Sequence, residues 1–142
     1  MLCVSAPTTA TISAVSVDKA EGGIRVDAFA TRPNPFTRGE DGLDSQAGSL
    51  VDSSSTFAGA DQRVIGVCPG GGAAPDPSFD ASGLSELGVQ VSWDGVGPYA
   101  GGHALDVTYS ISGQAHTLVL LFGIWLCAST CPESLTDIVT AP

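Results

Sequence analysis

The amino-acid sequence predicts an all-β domain: a two-sheet antiparallel β-sandwich with an immunoglobulin-like Greek-key topology, a jelly-roll sandwich being the alternative. Two observations lead there. Strong helix formers are scarce, with one lysine, one methionine and four glutamates, while Val, Thr, Ser and Gly abound. Alternation of apolar and polar residues recurs in about seven short runs, punctuated by turns drawn from 18 glycines and 9 prolines. No internal repeat is visible, and the 142 residues suffice for one domain, 1–142.

The elements follow in order. Thr9 to Val17 is rich in β-branched residues and reads as a strand. Asp18 to Gly23 is a turn, and Ile24 to Ala30 alternates as a half-exposed strand, so the two strands are expected to form a hairpin. Pro33-Asn34-Pro35-Phe36 ends the second strand, because proline lacks a ladder donor. A long polar loop covers 33–61, interrupted by a short strand at Ser49–Val51 or Thr56-Phe57. Arg63 to Cys68 is the next strand. A second loop, 69–82, contains Gly70-Gly71-Gly72, but no Lys-Ser/Thr pair and no helix follow it to make a phosphate loop.

Leu87, Val89, Val91 and Trp93 share one face of the cleanest alternating run, with Trp93 expected in the core and Asp94-Gly95 ending the strand. A final hairpin is expected to turn at Gly113-Gln114, so that Ile111 opposes His116 and Leu105 opposes Phe122. That register puts Leu105, Val107, Tyr109 and Ile111 on the same face as Leu118, Leu120, Phe122 and Ile124. Val119 and Leu121 make the run Leu118 to Cys127 apolar on both faces, so it is expected to be a buried strand, central or covered. At about ten residues it is half the length of a membrane-spanning helix. Ile138-Val139 closes the fold as a last short strand.

Fifteen acidic residues against five basic ones give a formal charge of −10. Nucleic acid is excluded as a partner, since binding it needs a basic face that displaces counterions. Anionic membranes are disfavoured for the same reason. Disorder is excluded too, because hydrophobic residues reach 43% and charged ones only 14%. Asp18, Glu21, Glu40, Asp41, Asp44, Asp52, Asp61, Asp76, Asp80 and Asp94 fall on turns and loops, leaving an acidic shell around nearly uncharged strands.

Cys3, Cys68, Cys127 and Cys131 are an even set in a small, loop-rich chain and predict two disulfides, for which three connectivities exist. Cys127 and Cys131 close a short loop on themselves in the expected pairing, leaving Cys3 for Cys68. A zinc ribbon would need two close pairs, and only one pair is close here. The cysteines place the chain outside the cytoplasm, secreted or at the cell surface. Met1-Leu2-Cys3 has no basic segment followed by an apolar one, so any leader or membrane attachment is expected from a segment absent from this sequence.

Few residues point to chemistry. Glu40, Asp41 and Asp44 supply oxygen ligands that a hard cation such as calcium uses, yet the terminal Glu of an EF-hand loop is missing. His103, on the loop 94–103, is the candidate exposed nitrogen ligand. His116 lies about 26 Å of strand away, so the two histidines do not share a metal. No Gly-x-Ser-x-Gly elbow marks a nucleophile, and Glu40-Asp41 has no expected cleft. The expectation is therefore no catalytic residue, no cofactor and no metal, calcium at the acidic loop being the exception weighed.

The segment Gly97-Pro98-Tyr99-Ala100-Gly101-Gly102-His103-Ala104-Leu105-Asp106-Val107-Thr108-Tyr109, continuing to His116-Thr117-Leu118 and Cys127, resembles uncharacterised extracytoplasmic domains of high-GC Gram-positive bacteria. The resemblance covers roughly a third of the chain and implies an immunoglobulin-like domain outside the cytoplasm. It carries over no catalytic residue. Taken together, these readings predict a non-catalytic binding or structural module that meets a protein or surface partner through the loops 33–61, 69–82 and 94–103. A self-assembling virion, fibre or surface-layer component is the second expectation, and a loop-based metal-binding protein or hydrolase the third.

Overall fold

The computed structural model describes residues 2–5, 8–34, 48–50, 57, 61–68, 84–132 and 135. Among them lie eight strands: β1 (Ala10–Asp18), β2 (Arg25–Pro33), β3 (Arg63–Val64), β4 (Ser85–Ser92), β5 (Tyr99–Gly102), β6 (Ala104–Ile111), β7 (Gln114–Leu120) and β8 (Ile124–Cys127). The fold is all-β and its strand pairs are antiparallel. A four-stranded sheet has the order β3-β1-β6-β7, and β2-β4 and β5-β8 form two-stranded sheets.

The centre of the molecule is the pairing of β1 with β6. Ile12 opposes Tyr109, but the register then skips, so that Ala14 opposes Thr108 and Val15 opposes Val107. Ser13 is the extra residue of a β-bulge, and it brings Ile12 and Val15, three positions apart, onto the same inward face. Both are buried with Ala10, Val64, Leu105 and Val107 in one cluster, Leu105 at 0% exposure. Each of the Val, Leu and Ile side chains among them contributes about 1.5–3 kcal/mol by leaving water. Val26 and Phe29 of β2 and Leu87 and Val89 of β4 pack onto this cluster from the neighbouring sheet.

Three short segments stitch the sheets together. Asp61 bridges Thr31 of β2, while Gln62 accepts a hydrogen bond from the Ile12 N–H at 2.8 Å, so 61–64 joins two sheets. Thr31, buried, donates its hydroxyl to the Arg63 carbonyl at 2.7 Å. Leu2 pairs with Ser85 and Val4 with Val67, around the disulfide Cys3–Cys68. Glu21 exchanges backbone hydrogen bonds with Gly101 at 2.8 and 3.1 Å. The second disulfide joins Cys127 to Cys131, as the spacing led one to expect. Two disulfides suggest an oxidising, extracytoplasmic environment. No helix among the described residues is long and apolar enough to cross a membrane.

Several expectations are corrected. β1 and β2 are not a hairpin: β1 pairs with β3 and β6, and β2 with β4. Residues 19–24 carry the chain from one sheet to the next, with positive φ at Lys19, Gly22 and Gly23. A side chain at Gly22 would meet the Tyr99 carbonyl at 2.5 Å, which holds this crossover against β5. Strand β3 is two residues long and does not reach Cys68. Ser49, Leu50 and Phe57 are not in a strand. Instead Leu50 and Phe57 pack over Gly88 on the outer face of β4, and the Arg32 guanidinium lies 4.4 Å from the Phe57 ring centre. Trp93 stays outside the core cluster, half-buried, its indole N–H donated to the Val96 carbonyl at 3.2 Å.

The final hairpin turns one residue earlier than expected. Ser112 and Gly113 both have positive φ, 51° and 80°, the type I′ geometry that two-residue hairpins favour. Ile111 therefore opposes Gln114, and Leu105 opposes Leu120. The displacement is two positions, so the shared face of Leu105, Val107, Tyr109, Leu118 and Leu120 is kept. The apolar run splits after Leu120 into β7 and β8, in different sheets, and β7 is an edge strand rather than a central one. Ile138-Val139 lies outside the described residues.

Loop length separates the disulfides: Cys3–Cys68 spans 65 residues and Cys127–Cys131 spans 4. In the chain-entropy account they are worth about 4 and about 2 kcal/mol respectively. Denaturant unfolding should show C3S/C68S losing about 2 kcal/mol more than C127S/C131S. A second expectation concerns Asp61, whose carboxylate accepts the Arg63 backbone N–H at 2.8 Å and its guanidinium Nε–H at 2.6 Å. Chiefly the backbone hydrogen bond, then the side-chain one, lowers its pKa below 3.8. The unfolded chain thus takes up this proton first, and stability is lost as pH falls through and below 3.8. Acid unfolding followed by circular dichroism should be less steep in Asp61→Asn over that range.

Candidate functional site

Glu40, Asp41 and Asp44 lie outside the described residues, as does the whole loop 69–82. Among the described residues no three His, Cys, Asp or Glu groups converge to hold a metal ion. His103 is described, and its setting differs from the exposed, flexible loop expected of it. It is the single residue between β5 and β6, half-buried, with its ring edge-on to Trp125 at 5.3 Å between centroids. His116 opposes Tyr109 on β7 and stacks on it at 5.3 Å, exposed. Six residues of β6 separate the two positions, about 20 Å of strand.

The sequence makes this placement through glycine. Gly101 and Gly102 are buried in β5, where a side chain at Gly101 would run into the Ile124 carbonyl and the Trp125 ring. Gly102 likewise has Val17 and the Asp18 carbonyl against it. The missing side chains let Trp125, opposite Gly101 on β8, lie flat across the β5 backbone. Tyr99 meets the Trp125 ring edge-on at 5.8 Å, so Tyr99, His103 and Trp125 form one aromatic cluster. Such pairs add about 0.5–1.5 kcal/mol each beyond the area they bury. His103 Nδ1 and Trp125 Nε1 are both buried without a hydrogen-bond partner among the described residues. A side chain at Gly123 would meet the Trp125 Nε1 at 2.9 Å, and Tyr99 pairs across the ladder with Cys127, which is bonded to Cys131.

A second feature was not anticipated. Leu118 is 39% exposed, Val119 48% and Leu121 87%, all along β7 and the link that follows it. One side of β7 pairs with β6, and among the described residues the other edge has no partner strand. Natural edges are usually blunted by Lys, Pro, a bulge or an inward charge. None of these stands in Gln114-Ala115-His116-Thr117-Leu118-Val119-Leu120. The apolar pattern at Val119 and Leu121 was the visible signal. An alternating strand reads the same whether a neighbour covers it or not, and only the sheet order shows that β7 is at the margin.

The chemistry gathered here is that of contact: an aromatic cluster held by glycines, and an uncharged apolar strand edge. The domain around it is all-β and stapled by two disulfides, which suggest an oxidising, extracytoplasmic environment. Compared with protein-family models, curated proteins and solved structures, the chain matches none of them.

The aromatic cluster gives a direct expectation. Gly101→Ala places a methyl group into the Ile124 carbonyl and the Trp125 ring. It should cost roughly 1–3 kcal/mol of stability and shift the tryptophan emission maximum, both readable in one fluorescence-monitored denaturation.

Proposed function

We propose that this chain is a secreted or surface-displayed, non-catalytic β-sandwich module, immunoglobulin-like in topology, that works by binding or by structural contact. The sandwich reading is supported by Val26, Phe29, Leu87 and Val89, which pack from the β2-β4 sheet onto the core of the four-stranded sheet. The two disulfides support an exported location.

One observation carries the contact reading. Leu118, Val119 and Leu121 stand exposed at a strand edge in a protein whose formal charge is −10. Soluble monomers seldom leave neighbouring large apolar side chains in water unless something meets them. Of the expected loop 94–103, residues 94–98 are a link that leads into the aromatic cluster at Tyr99, and this end of the domain is the second place for a partner, since sandwiches present function at their ends.

The test compares the parent with the double variant Val119→Lys, Leu121→Lys. Both positions are solvent-facing, so the variant should melt within about 3 °C of the parent and keep both disulfides. Its retention on a hydrophobic-interaction column, and on envelope material from the producing cells, should fall severalfold. Equal envelope retention of the two proteins would overturn the β7 edge as the contact surface and turn attention to residues 94–103.

A further inference from the structure

We propose that the edge of β7 is occupied by β7 of a second copy of this chain, in an antiparallel, two-fold symmetric pair that makes one continuous eight-stranded sheet. The proposal rests on the contact-module reading above and names its partner.

The geometry of the hairpin determines which backbone groups are on offer. Around a two-residue turn, the flanking residues Ile111 and Gln114 exchange both hydrogen bonds, and pairs then alternate along the ladder. Ala115, Thr117 and Val119 accordingly turn their N–H and C=O groups away from β6, toward the open edge. Adding an antiparallel strand there satisfies all three residues at once. Full overlap of the seven residues has one centre, Thr117, which faces its own counterpart across the two-fold axis. In that register Ala115 opposes Val119, a small side chain beside a large one, His116 opposes Leu118, and Gln114 opposes Leu120. The strand is complementary to itself.

Charge favours a second copy over a basic or acidic partner. From Val107 to Pro132 the chain has no Asp, Glu, Lys or Arg, the longest such stretch in the sequence. A basic partner would find no carboxylate on β7 to pair with. On the neighbouring strand the one formal charge is Asp106, opposite Val119. In the paired sheet two β6 strands stand three strand spacings apart, about 14 Å, so the two Asp106 carboxylates lie beyond the physiological Debye length of about 8 Å. Two copies of charge −10 repel wherever else they touch, and this edge is where they meet with the least repulsion. Seven residues make an edge of about 23 Å, smaller than a standard interface, so the dimer forms at high local concentration rather than at trace levels.

Sedimentation equilibrium and light scattering on the full chain test this, with Thr117→Lys and Thr117→Glu as the variants. Each puts like charges face to face at the two-fold axis and should weaken self-association at least about tenfold. An equimolar mixture of the two puts Lys opposite Glu and should restore a mixed dimer to within about threefold of the parent. Parent dimerisation should strengthen as ionic strength rises from about 0.01 M to about 1 M, since screening falls from roughly 30 Å to 3 Å. A parent that stays monomeric at millimolar concentration overturns the proposal. Hydrogen exchange then separates the causes: protected Ala115, Thr117 and Val119 amides in the monomer mean that the chain covers its own edge. Unprotected amides leave the edge open to a different partner, and the envelope-retention comparison decides that reading on its own. Loss of association in both variants without rescue in the mixture also overturns the two-fold pairing.

Discussion

Everything in this molecule is arranged around the ladder between β1 and β6. It puts Ile12 and Val15 against Leu105 and Val107 and gives these four buried apolar positions a common centre. The bulge at Ser13 is what makes the ladder work. Without the extra residue, Ile12 and Val15 would point to opposite faces and one would be left in water. The Ser13 hydroxyl, donated to the Thr108 carbonyl at 3.3 Å, lies across the irregular step. From this ladder the sheet extends in two directions that are finished differently. Toward β3 it is closed by the 61–64 stitch, the Thr31 hydroxyl and the Cys3–Cys68 bond. Toward β7 it stops.

The contrast between the two margins accounts for what could be read from residues alone. Strand existence was legible because alternation at Leu87–Trp93 and Leu105–Ile111 is a local property of the chain. Face assignment in the last hairpin was legible too, because a two-position register error preserves side-chain parity. Partnership was not. Thr9–Val17 and Ile24–Ala30 look like a hairpin, and what defeats that pairing is nonlocal: Gly22 seated against Tyr99, and Glu21 against Gly101. The two disulfides were readable from spacing, since one pair is close and the remainder has only itself to join.

The surface chemistry divides in the same way. His103 drew attention as one of only two histidines, yet its neighbours Gly101, Gly102 and Trp125 turn it into a packing residue beside a ring. The formal charge of −10 is a property of the sequence, and its complement matters more: an uncharged stretch that contains both the aromatic cluster's tryptophan and the β7 edge. Val119 and Leu121 were read as buried because an apolar residue on both faces of a strand normally has cover. Here the cover is not supplied by the described strands.

The β1–β6 ladder also sets an order of events during synthesis. Ser13 and Thr108 are 95 positions apart, so β1 leaves the ribosome long before its partner exists. At about 5–20 residues per second, that interval is roughly 5–20 s. Through it Ile12, Val15 and Val17 have only the two residues of β3 to pair beside, whereas β6 and β7 need nothing beyond their own tight turn to come together. A β1 that waits this long without its ladder is the part of the nascent chain most open to pairing elsewhere.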